Sequence, residues 1–166
     1  MVSQSKEKKM AFQVPQGGSN IVHIDVYPVP PEKGIAQNWK MVQTSPGDEE
    51  EITTLDVHFQ KRSTRNQRQS ERMIFVFSIA EDAQTESHSW RFVHTGLIYC
   101  ENEADDLDRL SFELRGDGKI TVGTVKCLSD LEETFNFSFL ALCRDNKSGE
   151  CRIFSSADPR GVTKRV

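Results

Sequence analysis

The amino-acid sequence predicts an all-β fold, an antiparallel sandwich of about eight or nine strands. Two observations carry this reading. Apolar residues alternate with polar ones through most of the chain, as in strands whose successive side chains point to opposite faces, and almost nowhere recur at the helical period. The alternating runs are also short, unequal and separated by turn-forming residues, which favours two packed sheets over a closed barrel.

Taken in order, residues 1–19 read as a flexible arm, whose lysines are followed by no apolar segment of the kind a secretory signal needs. The domain is expected over 20–160. "IVHIDVY" turns Val22, Ile24 and Val26 inward and His23 and Asp25 outward. "LDVHFQ" does the same with Leu55, Val57 and Phe59 against Asp56, His58 and Gln60. The basic stretch at 61–72, "KRSTRNQRQSER", reads as a mobile loop insertion in a hairpin connection. "MIFVFSI" (73–79) is almost continuously apolar and rich in aromatic and β-branched residues, as a central strand would be. Shorter runs follow in "SWRFV", "LIYC", "LSFEL", "KITVGTV", "TFNFSFLALC" and "ECRIFS". One helical turn is expected at "SDLEE", where Ser129 and Glu132 have capping-box spacing, and another in "ENEADDLDRL". Residues 161–166 read as a tail.

Two hairpins carry a register. In "LSFELRGDGKITVGT" a three-residue Gly116–Gly118 loop sets Leu114 against Ile120 and Phe112 against Val122, so that apolar residues share a face. In "FLALCRDNKSGECRIFS" a five-residue loop from Asp145 to Gly149 sets Cys143 directly against Cys151. The two thiols are expected side by side at the end of the inward row of Phe135, Phe137, Phe139 and Ala141, with a redox pair as the alternative. The Asp158-Pro159 pair is expected to end the last strand and blunt its edge, because proline has no amide to donate and holds the preceding residue extended.

At 166 residues the chain is long enough to bury a full core without staples. A net charge of −4 argues against a nucleic-acid binder with a uniformly basic surface, and no apolar run approaches a membrane span. Cys100, Cys127, Cys143 and Cys151 form no Cys-x-x-Cys pair of the kind structural zinc uses. They are expected as buried free thiols in a reducing compartment, the cytoplasm.

The segments "WRFVHTGLIYC", "LSFELRGDGKITV" and "FNFSFLALCRDNKSGECRIFSSADPR" resemble the DP-EP family of small bacterial proteins, clearly over 73–160 and more weakly at 21–27. The best local mark is the closing Ser-x-Asp-Pro, here Ser156 to Pro159, while no Glu-Pro pair occurs in the chain. The resemblance implies an immunoglobulin-like β-sandwich and supplies no catalytic residues.

No G-x-S-x-G, H-E-x-x-H or phosphate-loop motif is present, and His23, His58, His88 and His94 are scattered, so an enzyme is not expected. The expected function is that of a non-catalytic binding or assembly module, with an unknown protein partner or a second copy of the chain. The alternative is a Ca²⁺-dependent module whose ligand is a carbohydrate. Glu101, Glu103, Asp105, Asp106 and Asp108 offer the clustered hard oxygens that calcium takes, although not at EF-hand spacing. An exposed Trp39, Trp90 or Tyr99 would supply the apolar contact to a sugar. No other cofactor is expected. The basic stretch at 61–72 has no aromatic residue to stack a base, so sequence-specific nucleic-acid binding is not expected. The acidic "SPGDEEE" is its counterpart, for pairing within or between subunits.

Overall fold

The computed structural model describes residues 11–99, 110–127, 130–157 and 159–166. Within them, twelve strands numbered in chain order form two packed six-stranded sheets. The first contains β1 (Phe12–Gln13), β5 (Thr54–Phe59), β12 (Arg160–Arg165), β10 (Glu133–Asp145) and β11 (Cys151–Ser155), with β7 (His88–Tyr99) also paired to β10. The second runs in the order β4 (Glu50–Ile52), β3 (Lys40–Ser45), β2 (Ser19–Tyr27), β6 (Arg72–Ile79), β9 (Ile120–Val125) and β8 (Leu110–Arg115).

The all-β sandwich is the one that the alternation predicts, but its sheets are mixed. Three pairs are parallel: β1 with β5, β5 with β12, and β2 with β6. Parallel neighbours cannot be joined by a tight turn, so the chain must leave a sheet and return to it later. Its inward rows are those expected. Val22, Ile24 and Val26 of β2 and Leu55, Val57 and Phe59 of β5 are all buried. The central strand β6 buries Met73, Phe75, Phe77 and Ile79 while Ile74 and Val76 stay half-buried, so only one of its faces is fully covered. Phe77 meets Phe139 of the other sheet edge to face, with ring centres 5.1 Å apart, and Phe139 meets Phe137 in the same way at 5.4 Å.

The ends of the chain differ from expectation. Residues 11–19 are not an arm: β1 pairs with β5, and Val14 is fully buried in the core. Residues 161–166 are not a tail: β12 is an internal strand between β5 and β10. The ladder expected to end at the Asp-Pro pair instead stops at Ser155 and resumes at Arg160. β11 and β12 run in the same direction along one edge of β10, Ser155 opposite Leu140 and Arg160 opposite Asn136. In the gap, Ser156 exchanges both bonds with Phe139, its amide donating to the Phe139 carbonyl and its Oγ accepting from the Phe139 amide at 2.8 Å. The Pro159 carbonyl accepts from the Phe137 amide. Asp158 lies outside the described residues.

The basic stretch also proves ordered. It crosses from one sheet to the other rather than closing a hairpin, and it contains a helix, α1 (Arg65–Ser70). Thr64 caps it, accepting from the Gln67 amide at 3.2 Å while the Gln67 side chain accepts from the Thr64 amide at 2.8 Å. Arg68 pairs with Asp130 at 2.6 Å rather than with the acidic "SPGDEEE" run. At "SDLEE", residues 130–132 are not helical, and Ser129 lies outside the described residues, as does the second expected turn up to Arg109.

The first hairpin takes the register that the apolar count disfavours: Arg115 faces Ile120, Leu114 faces Thr121 and Glu113 faces Val122. The inward face of β9 is Thr121, Gly123 and Val125. Docking of the turn decides this. Asp117 takes a left-handed φ of 57°, and Gly118, at φ 85°, sits so close to β7 that an added Cβ would lie 2.8 Å from the Phe92 carbonyl oxygen.

Glu71 and Arg165 form a buried ion pair, each side chain 1% exposed and 2.9 Å apart. Glu71 also accepts from the Ser63 hydroxyl and from the Gly17 amide at 2.9 Å, and Arg165 donates to the Gln60 carbonyl at 2.7 Å. The Arg165 guanidinium lies over the Phe59 ring, 5.5 Å from its centre. Burial opposes ionisation of Glu71. The hydrogen bonds from Ser63 and Gly17, with the Arg165 charge, outweigh it and hold the carboxyl below the usual carboxylate range.

Either single substitution, Glu71→Gln or Arg165→Met, is expected to cost about 3–5 kcal/mol, because each leaves a buried polar partner uncompensated. The double variant should cost less than the sum, as urea melts of the four proteins would show. Because the folded pKa of Glu71 is depressed, its contribution is complete above the ordinary glutamate range and is lost as pH falls towards the folded value; Glu71→Gln should flatten that part of the acid limb. Gly161 faces Phe135, and an added Cβ would lie 1.9 Å from the ring. Gly161→Ala should therefore destabilise by about 1–3 kcal/mol or more, with partial recovery on adding Phe135→Leu, again read from urea melts.

Candidate functional site

The clearest concavity with an apolar floor opens where β7, β10 and β11 extend past the core. It has a volume of about 400 Å³ and is floored by Trp90, Cys143 and Phe154, with Pro28 and Pro30 among its lining. His88, Asp145, Glu150 and Arg152 bring charge and hydrogen-bonding groups to it. Apolar lining with a few convergent polar groups is the usual constitution of a small-ligand site.

The floor is held from below by aromatic packing. Trp90 meets Trp39 edge to face at 5.9 Å and lies tilted against Phe154 at 6.0 Å, and Trp39 stacks on Phe139 at 6.2 Å. Trp39 donates its indole N–H to the Val29 carbonyl at 2.9 Å, which ties the proline-rich wall to the core. Gln84 acts as a surrogate strand for Trp90: its side chain accepts from the Trp90 amide and donates to the Trp90 carbonyl, both at 2.7 Å. At the tip, Asn146 donates to the Ser87 carbonyl from its amide and to the Glu86 carbonyl from its side chain, joining two turns into one wall.

The expected Cys143–Cys151 pair is not formed. Arg152 stands opposite Cys143 and Arg144 opposite Cys151, so the thiols lie on opposite faces; Cys143 is buried and Cys151 exposed. The turn sets this register. The Asp145 amide donates to the Glu150 carbonyl at 2.9 Å, and the Asp145 carboxylate accepts from the amides of Lys147 and Ser148. Gly149 takes a φ of 74°, leaving four residues in the loop rather than five. The two amide bonds lower the Asp145 pKa, and burial, with Asp145 nearby, pushes the Cys143 thiol up.

The remaining candidates fall as follows. Glu101, Glu103, Asp105, Asp106 and Asp108 lie outside the described residues, as do Cys100 and the side chain of Tyr99. Among the described residues no group of three or more His, Cys, Asp or Glu side chains is placed to hold a metal ion. Trp39 and Trp90, expected as exposed contact rings, are only 4% and 7% exposed, because both fill the space between the sheets at this end of the sandwich. His23 is exposed; His58 is half-buried with Nδ1 3.3 Å from the Gln13 side-chain Nε2. His94 is exposed in a bulge of β7, with a left-handed φ of 55°. His88 alone of the histidines lines the groove. Gln84, Asn146 and Pro28 escaped the sequence reading, whereas Trp90, Cys143 and the Asp145–Gly149 turn were singled out there and do lie at this end of the molecule.

Because Cys143 faces inward, Cys143→Ser should cost about 1–3 kcal/mol by burying a hydroxyl without an assured partner. Cys143→Ala should cost less. Cys151→Ser should stay within about 0.5 kcal/mol of wild type, as exposed substitutions do. Urea melts under reducing conditions give the order; equal stability of the Cys143 variants and wild type would contradict its inward placement.

Among the described residues no helix is long and apolar enough to cross a membrane. Comparison with curated proteins finds no match. The profile of the DP-EP family matches residues 6–165, nearly the whole chain, and runs through both the basic crossover and the interrupted strand. The chain belongs to the DP-EP family.

Proposed function

We propose that the chain is a non-catalytic binding or assembly module, built on the immunoglobulin-like sandwich that the family resemblance implies and working in the cytoplasm. Its contact site is the groove over Trp90, Cys143 and Phe154. The observation that carries this reading is the groove itself, about 400 Å³ of concave surface with an apolar floor and charged surroundings. Recognition suits its polar groups better than proton transfer does. The Asp145 carboxylate is engaged by two turn amides, and the Cys143 thiol is favoured in its protonated form by burial. The assembly half of the proposal rests on β11, which ends its sheet among the described residues and leaves Ile153 54% exposed.

The neutral apolar dye N-phenyl-1-naphthylamine tests the site, with tryptophan emission as the readout because Trp90 forms the floor. Saturable uptake of one dye per chain is expected, weakened about fivefold or more by Phe154→Ala, which removes most of an aromatic floor residue. Light scattering across a concentration series tests assembly. A chain that stays monomeric and takes up no dye would overturn the proposal.

A further inference from the structure

We propose that the outer face of the β7–β10–β11 end is an oxyanion site that takes the phosphate or sulfate group of a small molecule. It is separate from the groove described above and faces the other way. Register places Arg91 opposite Leu142 and Ser89 opposite Arg144, so Arg91 and Arg144 are diagonal neighbours on one face of an antiparallel pair. Like charges at such positions repel. Their other cross-strand neighbours are uncharged: Cys151 stands opposite Arg144 and Ile153 opposite Leu142. A third cation is delivered by the β8–β9 turn. Gly118 packs so closely on β7 that an added Cβ would lie 3.2 Å from Arg91 Cβ, which brings Lys119 into the same groove.

The three positive side chains are exposed and line a concavity of about 660 Å³ in which Asp117 is the single acid among the described residues. The ion pairs Arg68–Asp130, Arg152–Glu150 and Arg165–Glu71 include none of them. Two guanidinium forks and an ammonium, none with an ion-pair partner among the described residues, are a donor set for a tetrahedral oxyanion. The volume admits a small molecule around that group. A nucleic-acid strand is disfavoured, because the one aromatic residue lining the groove among the described residues, Trp90, is buried and offers no ring to stack a base.

The test is an amide chemical-shift titration of the ¹⁵N-labelled chain with sodium phosphate, and separately with sodium sulfate, each against sodium chloride at matched ionic strength. Saturable shifts at Ser89, Arg91 and Arg144 are expected with the oxyanions and not with chloride. Arg91→Gln combined with Arg144→Gln should weaken phosphate binding about tenfold or more, since two charge-assisted donors are lost. Asp117→Asn should tighten it, and Arg152→Gln, on the opposite face, should leave it unchanged. Unaltered spectra elsewhere verify that the variants fold, and Arg144→Gln alone serves if the double variant does not. Shifts of equal size in chloride, or phosphate affinity unchanged in the arginine variants, would overturn the site. Tighter binding of a short single-stranded oligonucleotide than of phosphate or sulfate would overturn the small-molecule reading.

Discussion

The Glu71–Arg165 pair is the constraint on which the rest of the fold turns. It gathers three stretches that are distant in sequence: the loop at Gly17, the crossover from Phe59 and Gln60 through Ser63 to Glu71 just before β6, and the end of β12. β5 and β12 belong to one sheet and β6 to the other, so the pair fastens the two layers where the chain crosses between them. A buried ion pair is not in itself a large source of stability, since desolvation offsets most of its attraction. Its consequence here is specificity. An arrangement that separates these segments leaves a charge buried without a partner, which explains how β12 can be held as an internal strand at the extreme end of the chain.

The interrupted strand formed by β11 and β12 is a second device of the same kind. β10 is long enough to serve two partners on one edge, and Ser156 carries the pairing across the gap by supplying a side-chain oxygen to the Phe139 amide. Only beyond the interruption is the outer edge of this strand covered, by β5. The Ser-x-Asp-Pro segment therefore marks the place where an edge strand becomes an internal one. Its local chemistry, a hydroxyl acceptor followed by a residue without an amide, suits a ladder that must break and resume.

Beyond that point β10 and β11 continue past the core with β7, and this extension produces the surface available for recognition. Its inner face is apolar because it continues the row of Phe135, Phe137, Phe139 and Ala141 to Cys143. Its outer face carries Leu142 and Arg144 for the same geometric reason, since successive residues of a strand point to opposite sides. The Trp39–Trp90 contact closes the sandwich beneath the inner groove, so neither indole projects as an exposed ring and Trp90 reaches the groove only from its floor.

Local pattern alone determined the all-β class, the inward rows of β2, β5 and β10, and the centrality of β6. These depend on alternation within a single strand, and a strand with one buried face admits only one assignment of faces. The capping box of α1 was equally legible in Thr64 and Gln67, but the polarity of its neighbours suggested a mobile loop instead. Tertiary structure decided the parallel pairings, the internal position of β12, both hairpin registers and the burial of Trp39 and Trp90. Each depends on a contact between residues far apart in the chain: Glu71 with Arg165, Gly118 against Phe92, Trp39 with Trp90. Alternation says which side of a strand faces the core; it carries no information about which strand lies beside it, because the same apolar row packs against any partner of matching shape until a buried charge, a close glycine contact or an aromatic pair selects one.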